Sequence, residues 1–168
     1  MSINIRKENS NDAQSIHEVT VAEFLDAPHT DHTEQFIVRA LRVSGALSIS
    51  LVAEDEGSIV GHVALSPVTI SDGTDGWYGL GPISVYPSNQ DKGIGSKLMN
   101  AAIEELKNIE ANGCVLLGDP NYYHRFGFNP REGLMLTDVP LEYFQALVLQ
   151  GDLPQGIVTY DESFSAEG

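Results

Sequence analysis

The stretch Asn89-Gln90-Asp91-Lys92-Gly93-Ile94-Gly95-Ser96-Lys97-Leu98 sets two glycines, one residue apart, at the start of an apolar helical pattern. A helix N-terminus carries unpaired N–H groups and the positive end of the helix dipole, and glycine lets an anion approach that backbone closely. The chemistry to expect of Gly93 and Gly95 is therefore phosphate binding. Spacing excludes two common versions of it. A P-loop is longer and ends in Gly-Lys-Ser/Thr, whereas here Ser96 precedes Lys97. A dinucleotide fingerprint needs Gly or Ala where Leu98 stands, and belongs in a first strand-to-helix turn.

The elements around this loop follow from periodicity. Ile3 to Arg6 alternates like a strand, and Ser10-Asn11-Asp12 offers cap residues to a helix carrying Ala13, Ile16, Thr20 and Phe24. A second helix is expected to start at Asp31, with Glu34 completing a capping box and Phe36, Ile37, Ala40 and Leu41 on one face, and to stop at Gly45. Leu47 to Glu54 and Ser58 to Ile70 read as an antiparallel hairpin turning at Asp55-Glu56-Gly57. Ser71 to Gly76 is a further hairpin turn, and Trp77 to Tyr86 a strand broken at Gly79-Leu80-Gly81-Pro82. After the glycine loop, a helix runs to about Ile109 with Ile94, Leu98, Ala102, Leu106 and Ile109 on one stripe. Cys114 to Leu117 is an apolar strand, most simply parallel to the broken one, and Asp119-Pro120 opens a short helix over Asn121 to Phe126. Gly133 to Val139 reads as a strand, Pro140 to Gln150 as a helix and Gly156 to Tyr160 as a last strand.

The order describes an α/β (α+β) chain whose mixed, mostly antiparallel sheet contains one central βαβ crossover, with the chemistry expected at that crossover. With 168 residues and 42% apolar content, one domain over 1–168 is expected, without repeats or a linker. One cysteine, Cys114, excludes an internal disulfide and a cysteine metal cluster, and in its apolar run it reads as a core residue. No window approaches a membrane span and no apolar leader opens the chain, so a cytoplasmic protein is expected. Twenty-four acidic against nine basic residues give a net charge of −15, which disfavours nucleic acid and membrane as partners and favours a cationic substrate.

Gln90-x-x-Gly93-x-Gly95 resembles the segment with which the GNAT N-acetyltransferase family holds the pyrophosphate of coenzyme A. Leu80-Gly81-Pro82-Ile83-Ser84-Val85-Tyr86-Pro87 resembles the bulged strand of that family. Gly118-Asp119-Pro120-Asn121-Tyr122-Tyr123-His124-Arg125-Phe126-Gly127-Phe128 is similar to the helix and Gly-Phe turn that follow, in the form of the YhbS-like branch. Pro140 to Leu147 and Gly156 to Tyr160 resemble that branch's ending, so the similarity spans nearly the whole chain in order.

The resemblance implies a GNAT fold and an acyltransferase that moves the acetyl group of acetyl-CoA to a primary amine by direct attack in a ternary complex, without a metal. A non-catalytic acyl-CoA sensor of the same fold is the alternative. Ile83, Ser84 and Val85 would pair with the pantetheine arm, and their N–H groups are candidates for the oxyanion. Gln90, Asp91, Lys92, Gly93, Ile94, Gly95 and Ser96 would hold the pyrophosphate, with Lys92, Lys97 and Arg125 countering the negative field locally. Tyr123, four residues before Gly127, would contact the cofactor and give the leaving thiolate its proton, with Tyr122 as the register neighbour. The general base stays open between His62, Glu23, the polar face of the first two helices and a water chain. The acceptor, the acyl-chain preference and a homodimer are also left open, and no covalent acetyl-enzyme is expected.

Overall fold

The computed structural model describes residues 3–25 and 32–167. In chain order, these form strand β1 (Ile3–Lys7), helices α1 (Ala13–Phe24) and α2 (Glu34–Ser44), and strands β2 (Ile49–Asp55), β3 (Ser58–Pro67), β4 (Thr69–Ile70) and β5 (Trp77–Val85). Helix α3 (Ile94–Asn108), strand β6 (Gly113–Leu117) and the one-turn helix α4 (Pro120–Tyr123) follow. The chain ends in the strands β7 (Asn129–Pro130), β8 (Leu134–Met135), β9 (Phe144–Val148) and β10 (Gly156–Thr159). The main sheet has the order β1-β2-β3-β5-β6-β9-β7, and β4-β10-β8 make a small second one. All pairs in the main sheet are antiparallel except β5 with β6, the two strands joined through α3. This is the mixed sheet with a single βαβ unit that the periodicity predicts.

Successive residues of a strand point to opposite faces, and β2 distributes its side chains accordingly. Leu51 and Ala53 pack with Val63 and Leu65 under Leu98, Met99, Ala102 and Leu106 of α3. Val52 packs with Ile16 of α1 and Val38 of α2 on the other face. The sheet is thus covered on both sides, with α3 lying mainly across β2 and β3. Of the expected stripe, Ile109 alone departs, ending the helix at 45% exposure.

Cap residues behave differently from the expectation. Asp12 makes no side-chain cap for α1, because its carboxylate accepts Arg6 Nη1 at 2.7 Å and the Asn9 amide at 2.7 Å instead. Arg6 also reaches Glu54 at 3.0 Å, so one guanidinium ties β1 and β2 to the start of α1. Helix α2 begins at Glu34 without a side-chain cap, and Asp31, its expected start, lies outside the described residues.

The helix expected over Pro140 to Gln150 is absent. A single 3-10 turn, Leu141–Tyr143, leads into β9, which pairs over its whole length with β6 and, at Gln145 and Ala146, with β7. Phe144, Ala146 and Val148 face one apolar cluster and Leu147 the other, so both faces are buried and no alternation marks a strand. The strand expected over Gly133 to Val139 shrinks to Leu134–Met135.

Two strands that meet and then part define the functional region. Parallel pairing of β5 with β6 covers Trp77 to Gly79 against Gly113 to Val115 and ends there. From Leu80 onward β5 keeps its β3 partner, with the register slipping by one residue across Gly81-Pro82, a cis peptide. At the other end of the paired stretch, away from the opening, the Trp77 ring lies against Gly113, where an added Cβ would come within 2.4 Å of the indole.

Candidate active site

The wedge opens into a cleft of about 530 Å³ between β5, the N-terminus of α3 and the turn after β6. Its walls include Ile83, Ser84, Val85, Gln90, Asp91, Gly93, Ile94, Gly95, Ser96 and Tyr123. Every residue expected at the site from sequence therefore lines it, except Lys92. That side chain is exposed, as is Lys97, and neither borders the cleft. Arg125 does border it, with its guanidinium 4.6 Å from the centre of the Tyr122 ring and its Nε donating to Tyr122 O at 3.0 Å. The positive potential available to an anion therefore comes from the backbone of α3 and from Arg125 rather than from the two lysines.

Gly93 caps α3 at φ +79°, a left-handed conformation that glycine adopts without strain, and its carbonyl accepts the first helical bond, from Lys97 N–H at 3.1 Å. No side chain caps this helix end, which leaves its amides turned toward the cleft. Gln90 has another task. Its Nε2 donates to Val85 O at 3.1 Å and to the Glu23 carboxylate, tying the loop to β5 and to α1.

The open edge of β5 has a defined polarity. Tyr86 N–H donates to Val60 O on the β3 side, so alternation along the ladder turns Ser84 N–H toward β3 as well, and Ile83 and Val85 N–H toward the gap. The expectation that Ser84 offers its N–H to the cleft is corrected by that register. The Val85 N–H stabilises the Glu23 carboxylate, which leaves Ile83 as the amide directed into the wedge.

On the opposite wall, Asp119 caps α4 by accepting Asn121 N–H at 2.9 Å, and Pro120 occupies the first helical position. The turn sets Tyr122 and Tyr123 edge to face, with ring centres 4.8 Å apart. Tyr123 occupies space that only glycine leaves free: a Cβ on Gly118 would lie 2.3 Å from its ring. Burial, then Tyr122, Glu23 and Asp119, push the Tyr123 hydroxyl up to about 12, so it stays protonated at neutral pH.

Among the candidates for a base, His62 is fully buried on β3 and does not line the cleft, whereas Glu23 does. Burial raises the Glu23 carboxyl above its ordinary value, against the lowering effect of Gln90 and the Val85 amide. Glu23, Asn89 and Tyr122 are the wall residues that the motif did not place in the cleft. Glu23 falls seven residues after Ile16 and three after Thr20, so helical spacing sets it on the buried side of α1, in the last turn. Cys114 is buried and its thiol is pushed up by burial, as a core residue would be. Among the described residues no helix is long and apolar enough to cross a membrane, and no group of three His, Cys, Asp or Glu could hold a metal.

A splayed strand pair, an uncapped helix end across from it and a protonated tyrosine between them define an acyl-thioester-handling site of the GNAT type. Residues 46–130 match the family described as acetyltransferase (GNAT) domain, and the chain belongs to that family of acyltransferases. It is 34% identical over 114 residues to the uncharacterized N-acetyltransferase YhbS of Escherichia coli K12, covering 62% of this chain and 68% of that one. A crystal structure of a GNAT acetyltransferase from Brucella melitensis with acetyl-CoA superposes with a TM-score of 0.87 at 45% identity, over 97% of this chain and 98% of the other. Escherichia coli YhbS with CoA superposes at 0.88 and 31% identity, over 99% and 93%.

Proposed function

We propose that the protein is an acetyl-CoA-dependent N-acetyltransferase in which a primary amine, of a small molecule or a peptide, attacks the thioester directly in a ternary complex. The observation that carries this reading is the meeting, in one cleft, of the unpaired β5 edge, the amides of α3 and the Tyr123 hydroxyl. The pyrophosphate of coenzyme A rests on the amides at Gly93 to Ser96, and the arm runs along β5 as an added strand. The amine lone pair forms the C–N bond, and the carbonyl π electrons move onto oxygen, which Ile83 N–H stabilises. Collapse breaks the C–S bond, the leaving sulfur takes its proton from Tyr123, and the nitrogen of the new amide releases the proton that restores the tyrosine. Net charge of −15 and a carboxylate in the cleft favour a cationic acceptor. The crystal structures with acetyl-CoA and CoA bound to the Brucella and Escherichia relatives support the donor.

Thermal unfolding with coenzyme A tests the reading. At about a hundredfold excess over Kd the ligand adds about 2.7 kcal/mol and raises Tm by roughly 5–10 °C. Gly93→Glu, which sets a negative side chain at the cradle, abolishes the rise, while Gly93→Ala, strained by φ +79° but uncharged, keeps part of it. Absence of any shift for the wild-type protein at millimolar coenzyme A refutes the proposal.

A further inference from the structure

At its open end, β5 is already paired with something. A residue in a strand presents its N–H and C=O to the same side, and Val85 presents both to the gap. The N–H lies against the Glu23 carboxylate, and the C=O accepts Gln90 Nε2 at 3.1 Å. Glu23 and Gln90 are themselves hydrogen bonded to each other. One carboxylate oxygen and one carboxamide N–H thus reproduce, from side chains, the acceptor and donor that the amide of a neighbouring strand would supply. They do so at the last residue of the edge that the acyl donor's arm must use.

We propose that Glu23 is a self-ligand of the donor site that becomes the acceptor-binding carboxylate once the donor displaces it. This rests on the acetyl-CoA reading above. The arm of coenzyme A carries amides, and an amide seated on Val85 takes the place of Glu23 and Gln90 together. Freed from Val85, the carboxylate stays tethered at the end of α1 on the wall of the same cleft. Among the described residues no Lys or Arg pairs with Glu23, and the one cation on the cleft wall, Arg125, is engaged with Tyr122. The ammonium of a primary amine supplies a cationic partner.

The spacing suits that second role. Ile83 N–H, where the thioester oxygen sits, is two residues from Val85 on the same side of the strand, about 6.7 Å away. A carbonyl carbon beside Ile83 and an amine in contact with it fill roughly that span, leaving the amine within hydrogen-bonding reach of Glu23. The proton then passes from the ammonium nitrogen to the Glu23 oxygen, the N–H bond breaking as the O–H bond forms. Burial, which raises the carboxyl, makes it a better proton acceptor than an exposed carboxylate. Other charged groups on the walls are Asp91 and Arg125, both exposed on turns.

Titration calorimetry of coenzyme A against wild type, Glu23→Ala and Glu23→Gln tests the first half. Glu23→Ala should bind coenzyme A about five- to tenfold more tightly, because a competitor and a like charge are gone, while Glu23→Gln, whose carboxamide oxygen still accepts Val85 N–H, gains less. Equal or weaker binding by Glu23→Ala, with a wild-type melting temperature, overturns the self-ligand. The second half is read as thiol release with the best acceptor from a panel of polyamines, aminoacyl esters and N-terminal peptides. Both variants should lose at least tenfold in kcat/KM for that amine, and undiminished turnover overturns the acceptor role. Failure of wild-type protein to bind coenzyme A, or to acetylate any amine of the panel, instead refutes the acetyltransferase reading on which the inference stands.

Discussion

His62 should make the protein lose stability on mild acidification, by an amount that can be worked out. The imidazole is fully buried on β3, with Nε2 2.8 Å from Ser50 Oγ. The Ser50 hydroxyl donates to the Glu8 carboxylate, which Arg42 holds through Nε at 3.0 Å and Nη2 at 2.9 Å. Burial, with Arg42 nearby and only partly offset by Glu8, pushes His62 down from 6.5 to about 4. The unfolded chain therefore takes up a proton on this residue near pH 6.5 and the folded chain only near pH 4. Between those values the unfolded state binds more protons, so stability falls as pH falls. The loss is about 2 kcal/mol from pH 7 to pH 5 and about 3 kcal/mol once pH drops below 4, with a steepest slope of about 1.2 kcal/mol per pH unit.

Urea denaturation at pH 7, 6 and 5 reads this directly, with His62→Gln as the reference, since a carboxamide can still donate to Ser50 but does not titrate. Glu8 contributes in the same direction but further down the scale. Burial raises its carboxyl, yet the hydrogen bonds from Arg42 and Ser50 and the nearby charges hold it below the ordinary range, so its protonation falls at lower pH in both proteins. The wild type should lose about 2 kcal/mol more than His62→Gln between pH 7 and 5. Equal losses in the two proteins would refute a neutral, buried His62.

Tyr123→Phe keeps the packing and removes the donor, so coenzyme A should still raise Tm while kcat falls by about 10²-fold or more, measured as thiol release. Gly118→Ala should act on the same step without touching the hydroxyl. An added Cβ at 2.3 Å from the ring must displace Tyr123, and a loss in kcat of at least roughly tenfold with little change in KM for acetyl-CoA is expected. An unaltered kcat in Gly118→Ala would mean that the ring position is immaterial.

The legible parts of this molecule are those where local pattern and tertiary role agree. The stripe Ile94, Leu98, Ala102, Leu106 packs on the sheet because one face of α3 is apolar and the other is not. Gly93 and Gly127 stand out because each holds a left-handed φ that glycine adopts without strain, and Gly118 because a Cβ there would strike the Tyr123 ring. What was hidden depends on partners distant in sequence. Leu141, Phe144 and Leu147 fall at helical spacing, yet the segment slots between β6 and β7, where two buried faces erase the period of two. Asp12 reads as a cap until Arg6 claims it. Glu23 has no motif around it, and only the fold brings it to Gln90, sixty-seven positions later in the chain. Lys92 was expected in the cradle because of its neighbours in sequence, but a turn at positive φ on Asp91 leaves it pointing to solvent.

Trp77 is the single tryptophan of the chain, and it is 1% exposed, wedged against Gly113 at the start of the short stretch over which β5 and β6 pair. The protein thus carries one native fluorophore in the strand pair that opens, past Gly79 and Val115, into its cleft. Emission from an indole so buried has the blue-shifted maximum of an apolar setting. Its red shift on unfolding therefore follows the strand pairing on which the cleft depends, with neither a label nor a known acceptor.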